Sequence, residues 1–307
     1  MNEKIIVDAG AGYPLDGILC LPDDLSNPVP AVVMVHGSGS SNMDEKVMKL
    51  TPFRDLAEGL QKRGIASIRY DKRSFAYGRK MLKEKTLITV REEAIDDALA
   101  AVKMLKDDPR IDSGNIYILG HSMGAMLAPR IDAEGADVKG LIMMAGSPFR
   151  LEEILQRQLL QLKGKNFLIN WIIGKQYKAY VEKFAGLYEM SDEEAKKAKF
   201  GGGTTLYYFK EMGRKTASDY LLENTKPALI MQGGMDFQCL ADVDFKAFQE
   251  QLAGRENTVF RWYPELNHVF VNGIYNDIAK ASKEYKVEQH IGDKVFDDIA
   301  GFIRDNS

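Results

Sequence analysis

Gly120-His121-Ser122-Met123-Gly124 follows the apolar run 116–119 and opens a helix-compatible stretch, residues 123–131. That order predicts a sharp strand-to-helix turn with a serine at its tip, the setting in which a G-x-S-x-G serine acts as a nucleophile. The flanking glycines let the backbone close without side-chain clashes. The helix that follows turns the positive end of its dipole toward the hydroxyl, where negative charge would develop.

Similar runs recur on either side of this motif. Residues 31–35 (AVVMV), 66–70 and 141–145 are continuous and apolar, as strands buried on both faces should be. Residues 228–231 and 259–263 add two more, and 5–9 with 15–21 read as an antiparallel pair at the start. Amphipathic helical patterns at 53–62, 89–106, 241–252 and 294–304 lie between or after them. The expectation is an α/β fold with a mostly parallel, doubly wound sheet of about eight strands. The alternation breaks between 148 and 224, where helices such as 151–162 and 192–199 appear without a convincing strand and Gly201-Gly202-Gly203 reads as a loop. The simplest organisation is a core of residues 1–147 and 225–307 with an inserted helical lid at 148–224.

A serine alkoxide needs a base, and the chain has four histidines, His36, His121, His268 and His290. His121 adjoins the serine, where the turn should direct its side chain elsewhere. His36 precedes a glycine loop and is expected to brace it, and His290 lies in a charged, exposed stretch. His268 follows the last strand, in a loop able to reach Ser122, and is the expected base. The orienting acid should follow an intervening strand, as Asp236 does in Gln232-Gly233-Gly234-Met235-Asp236. Asp242 and Asp244 are rivals on the next helix, where solvated carboxylates are the norm. The loop His36-Gly37-Ser38-Gly39-Ser40 ends the run 31–35 and offers the N–H of Ser38 to an oxyanion, with the N–H of Met123 as the second donor.

Composition narrows the classes. The 307 residues are 45% hydrophobic and 28% charged with a net charge of -3, which gives no general attraction to nucleic acid or anionic membrane. A small-molecule substrate is the expected partner. Cys20 and Cys239 match no disulfide framework and no zinc or redox spacing, and nothing implies a metal or organic cofactor. No apolar stretch has the length of a signal sequence or a membrane span, so a cytoplasmic location is the expectation.

On these residues the chain resembles the α/β-hydrolase superfamily over nearly its whole length. Arg69-Tyr70-Asp71-Lys72-Arg73, Gln232 to Gln238 and Leu266-Asn267-His268-Val269-Phe270 resemble bacterial esterases of the dienelactone-hydrolase-like and prolyl-oligopeptidase-related groups. Cinnamoyl and feruloyl esterases are similar in layout, with a small lid inserted at the same place. Dienelactone hydrolases themselves carry a cysteine nucleophile, so the serine here withholds their lactone specificity. The resemblance implies a carboxylesterase for small or medium acyl or aryl esters, hydroxycinnamoyl esters among them, acting through an acyl-enzyme. A peptidase or thioesterase with the same triad is the nearest rival. A non-catalytic binder on this fold would usually lack a triad member, whereas all three are present.

Two stretches keep two readings each. Asp71, Lys72 and Arg73 either contact substrate or form an ion-pair cluster, the second being preferred. The aromatics Phe149, Phe167, Trp171, Tyr177, Tyr180, Tyr207, Tyr208 and Phe209 either wall a pocket or pack the insertion onto the core.

Overall fold

The eight expected strands form one sheet in the computed structural model, which describes residues 1–84, 87–164 and 166–307. Strands β1 (Asn2–Val7) and β2 (Leu15–Cys20) are antiparallel, and β2 is also antiparallel to β4 (Ala66–Tyr70). From β4 onward every pairing is parallel: β3 (Val29–Val35), β5 (Ile111–His121), β6 (Gly140–Met144), β9 (Ala228–Gly233) and β10 (Thr258–Tyr263). The spatial order is β1-β2-β4-β3-β5-β6-β9-β10. Residues of β4, β6 and β9 are buried throughout, which is why their sequences are mostly apolar, with Ser67, Arg69 and Gln232 as the buried polar exceptions. Strand β5 begins at Ile111, ahead of its apolar run, and a register irregularity against β3 absorbs the polar residues between.

Alternate residues of the strands serve two cores. Ala31, Val33 and Val35 pack with α3 (Asp96–Asp107) and α4 (Met123–Ile131), whereas Val32 and Met34 pack with α1 (Pro52–Gln61) and α12 (Asp293–Asn306). Helix α2 (Arg73–Lys83), which the sequence reading did not include, buries only Arg73 and Met81.

Between β6 and β9 lie α5 (Leu151–Gln161), α6 (Phe167–Phe184), α7 (Asp192–Lys197), α8 (Leu206–Met212) and α9 (Ala217–Leu222). The expectation that this stretch lacks strands is corrected: β7 (Lys199–Gly201) and β8 (Thr204–Thr205) form a small hairpin whose turn uses Gly202 and Gly203, both at positive φ. Helix α7 therefore stops at Lys197, short of the expected 199. Phe184, Phe200, Tyr180, Tyr208 and Phe209 stack on one another with centroids 4.5–6.1 Å apart, so this part of the aromatic set packs the insertion. Phe167 and Trp171 are exposed. Beyond the insertion, α10 (Lys246–Gln251) follows β9, and α11 (Ala281–Glu284) precedes α12.

The ion-pair reading holds for Lys72 and Arg73, while Asp71 takes a backbone partner instead. The Arg73 guanidinium pairs with Asp97 at 2.5 Å, Lys72 Nζ lies 2.8 Å from Glu93, and Asp71 accepts the Met43 N–H at 2.7 Å. Arg73 and Asp97 are both almost wholly buried, so removing one strands the other's charge. Arg73→Ala is expected to lower stability in urea by about 3–5 kcal/mol. The apolar pair Arg73→Met with Asp97→Leu should recover most of that loss.

Candidate active site

Ser122 sits between β5 and α4 at φ 55° and ψ −117°, outside the regions an L-residue normally occupies. Three close approaches hold it there. The Ser122 N–H donates to Met144 O at 2.8 Å across the sheet. A Cβ on Gly120 would fall 2.2 Å from Gly124 O, and one on Gly124 would fall 2.0 Å from Val35 O. Only glycine permits this packing of β3, β5 and α4, and the strained turn is its result.

Asp236 and His268 come from adjoining loops after β9 and β10. A Cβ on Gly233 would meet Leu266 O at 2.3 Å, and one on Gly234 would meet Pro264 O at 2.5 Å, so these glycines let the two loops touch. The loops are stitched by Gly234 N–H to Tyr263 O (2.7 Å) and Met235 N–H to Leu266 O (2.9 Å). His268 Nδ1 then donates to Asp236 Oδ2 at 2.8 Å, with both side chains buried. The other carboxylate oxygen, Oδ1, accepts from the N–H groups of Gln238 (2.7 Å) and Cys239 (3.0 Å), and Gln232 Nε2 donates to Oδ2 at 3.0 Å. With its Nδ1 proton committed, His268 offers Nε2 as the acceptor.

The His268 loop has a brace the sequence reading missed. Asn267 is fully buried; its Nδ2 donates to Glu284 at 2.7 Å, and its Oδ1 accepts from the N–H groups of Val269 (3.1 Å) and Val271 (3.4 Å). The residue stands beside the base in Leu266-Asn267-His268, and that adjacency was the available signal.

Ser122 and His268 line one cavity of about 220 Å³, together with Gly37, Ser38, Ser40, Ser41, Gln238 and Tyr285 among others. No direct hydrogen bond joins Ser122 Oγ to His268 among the described residues, so the expected unbroken line of three is formed at Asp236–His268 and open at Ser122. Active-site hydrogen bonds often tighten only when substrate binds. Ser38 stands on the cavity wall beside Ser122, since a Cβ on the preceding Gly37 would lie 3.1 Å from Ser122 Cβ. Met123 is the first residue of α4, where backbone N–H groups lack partners within the helix. Among the described residues, none of the aromatics between β6 and β9 lines this cavity.

The other three histidines divide as follows. His36 braces its loop as expected, donating from Nε2 to Asn42 O at 3.0 Å, and burial pushes its imidazole down to about 4, leaving it neutral. His290 is exposed and beside Asp55. For His121 the expectation is corrected. Its ring turns into the site: Nε2 donates to His268 O at 2.8 Å, and Nδ1 lies 2.9 Å from Glu45 Oε2. The carbonyl on Nε2 and the carboxylate near Nδ1 both favour the charged imidazole. Burial alone would lower the His121 value, yet the Glu45 carboxylate outweighs it and the net shift is upward. Glu45 is held below its ordinary range, because His121 and the Gly37 N–H (2.7 Å) outweigh its own burial. Asp244 is a further correction: it is fully buried, bonded to Ser147 Oγ (2.6 Å) and Leu240 N–H (2.7 Å) and paired with Arg157, and so ties α5 to the core. Asp242 is exposed, as expected. Among the described residues no cluster of His, Cys, Asp and Glu is arranged to hold a metal ion.

A serine on a strained turn, a carboxylate-bound imidazole on the same cavity and a glycine loop beside them are the parts of a serine hydrolase on the α/β-hydrolase fold. The family model described as serine aminopeptidase, S33, matches residues 26–273, and the chain belongs to that family. Esterase EstD of Thermotoga maritima is 35% identical over 290 residues, covering 94% of this chain. The chain spans 65% of EstD, slightly under two thirds of its length. Solved structures with the same fold include the esterase Pf2001 of Pyrococcus furiosus, at 17% identity and a TM-score of 0.59, covering 99% of this chain and 91% of that one. Est1E of Butyrivibrio proteoclasticus with ferulic acid bound aligns at 17% identity and a TM-score of 0.57, covering 92% and 96%.

The shifts of Glu45 and His121 set a pH window. A raised histidine contributes stability below its ordinary 6.5 and loses it as pH rises through the raised value. A lowered glutamate contributes above its ordinary 4.5 and loses it as pH falls through the lowered value. The pair should therefore stabilise most between those two ordinary values. In Glu45→Gln the strongest opposition to burial is removed, so the His121 titration followed by NMR should move downward.

Proposed function

We propose that the protein is a serine carboxylesterase that cleaves small or medium acyl or aryl esters, hydroxycinnamoyl esters among them, through an acyl-enzyme on Ser122. The observation that carries this reading is the buried Asp236–His268 bond at 2.8 Å on a cavity that Ser122 also lines. His268 Nε2 takes the Ser122 proton as the hydroxyl attacks the ester carbonyl, and Asp236 stabilises the imidazolium without accepting its proton. The N–H groups of Ser38 and Met123 hold the oxyanion. His268 then protonates the leaving alcohol, and a water activated by the same imidazole releases the acid. The name of the relative EstD supports ester chemistry over other acyl transfers.

The insertion, residues 148–224, acts as a lid over a core of residues 1–147 and 225–307. In support, the interval between β6 and β9 holds only helices and one small hairpin among the described residues. Two buried free thiols, Cys20 and Cys239, fit a reducing, cytoplasmic setting. Among the described residues no helix is long and apolar enough to cross a membrane.

The family description favours a second reading, removal of an N-terminal amino acid from a peptide. Such a substrate brings a free ammonium that needs a carboxylate. Glu45 is the carboxylate on the cavity wall, and the Gly37 N–H and His121 already occupy it. Esters are therefore preferred. Ser122→Ala should reduce p-nitrophenyl butyrate turnover by at least about 10⁴-fold, and Asp236→Asn by on the order of 10⁴-fold. Unchanged turnover in Ser122→Ala defeats the assignment. Faster cleavage of alanine p-nitroanilide than of the ester by the wild type favours the peptidase.

A further inference from the structure

The peptide unit between Gly37 and Ser38 carries two groups with opposite consequences for an oxyanion. Its N–H attracts negative charge and its C=O repels it. In a trans peptide the two point in opposite directions, and no cis bond occurs among the described residues. Whatever fixes the carbonyl therefore fixes the N–H. Lys72 Nζ donates to Gly37 O at 2.7 Å. On the other side of the same residue, the Gly37 N–H donates to Glu45 Oε1 at 2.7 Å. Gly37 has the conformational freedom to let its peptides rotate, so these two charged partners set the plane.

Lys72 is 2% exposed, a rare position for an ammonium, which is kept in such surroundings only when paired. Its second partner is Glu93 Oε1 at 2.8 Å. Glu93 Oε2 accepts from the Tyr208 hydroxyl at 2.6 Å. Tyr208 belongs to α8 of the insertion, and its hydroxyl also lies 3.3 Å from Met123 Sδ. A buried polar chain thus runs from the insertion to the oxyanion loop: Tyr208, Glu93, Lys72, Gly37 O. Hydrogen bonds linked in this way polarise one another, and an ammonium on a carbonyl oxygen strengthens the N–H of the same amide as a donor.

We infer that Lys72 is a positioning residue, whose ammonium turns the Gly37–Ser38 peptide so that the Ser38 N–H faces the oxyanion, and that Glu93 and Tyr208 tie this setting to the seating of α8. The inference rests on the reading of Ser122 as nucleophile. Lys72 touches no substrate; it acts through a backbone amide. Its loss should fall on kcat, because the interaction it supports develops in the transition state, and should spare KM.

The test compares wild type, Lys72→Met, the charge-balanced Lys72→Met/Glu93→Gln, Lys72→Arg and Tyr208→Phe. Each is assayed with p-nitrophenyl butyrate and with an alkyl trifluoromethyl ketone, which inhibits by forming a tetrahedral oxyanion adduct with the serine. Lys72→Met and the double variant should lose about 10²–10³-fold in kcat, the size of losing one oxyanion donor, with KM within about threefold of wild type. Ketone affinity should fall by the same factor as kcat. Lys72→Arg should restore part of both, and Tyr208→Phe should weaken both in parallel by a smaller factor. The double variant avoids stranding the Glu93 charge and keeps the test open if Lys72→Met fails to fold. A folded double variant with kcat within threefold of wild type overturns the inference, as does a kcat loss with unchanged ketone affinity. Ser122→Ala run alongside separates the two levels. Turnover that survives in Ser122→Ala removes the nucleophile assignment itself, whereas Ser122-dependent turnover insensitive to Lys72 removes only the role of Lys72.

Discussion

Ser122 keeps a backbone conformation that costs on the order of 1–3 kcal/mol, and it keeps it because three backbones crowd around it. Strand β3 approaches α4 so closely that the Val35 carbonyl occupies the space of a side chain at Gly124. The same crowding at Gly120 bends β5 directly into α4. Relaxing the turn would require these strands to separate, and the apolar residues of β3, β5 and β6 on both faces oppose that. The hydroxyl is therefore presented at the carboxyl edge of the sheet by packing far larger than the strain it imposes. The same edge receives the loops after β3, β9 and β10, so every other part of the site is placed relative to that one turn.

Around the turn, charge is buried in pairs. Asp236 with His268, Glu45 with His121 and Lys72 with Glu93 are all removed from water, each within 2.9 Å of its partner. Surface ion pairs contribute little to stability, and buried ones break even at best. Their value here is directional. Asp236 settles which imidazole nitrogen is free, Glu45 and Lys72 hold the two sides of Gly37, and His121 connects Glu45 to the carbonyl of His268. The His268 loop and the Gly37 loop are thus joined through one buried imidazole, next to Ser122 in sequence.

Much of this could be read from the sequence, and the exceptions have physical causes. Strands buried on both faces, such as β6, write themselves as apolar runs, while β1, β2 and β10 were legible from shorter apolar stretches bounded by turn residues. The triad candidates were legible because each follows a strand, Ser122 and Asp236 at glycine-marked turns. Helix α2 buries only Arg73 and Met81, and α6 is apolar around most of its circumference while burying only Ile173 and Phe184. Neither buries a continuous face against the core. His121 was misread because the strained turn at Ser122 redirects its neighbour in a way no propensity encodes. Glu45 and Asp244 were missed or misjudged for a different reason: their partners, His121 and Arg157, lie far away along the chain, and burial of a carboxylate is decided by such contacts.

The most direct measurement is a crystal structure of the wild-type protein after reaction with a p-nitrophenyl alkylphosphonate, which freezes a tetrahedral centre on the attacking atom. Phosphorus bonded to Ser122 Oγ, with one phosphonyl oxygen about 3 Å from both the Ser38 and Met123 nitrogens, is the expected result. An adduct on any other side chain, or a phosphonyl oxygen turned away from both amides, would contradict the assembly of the site around Ser122.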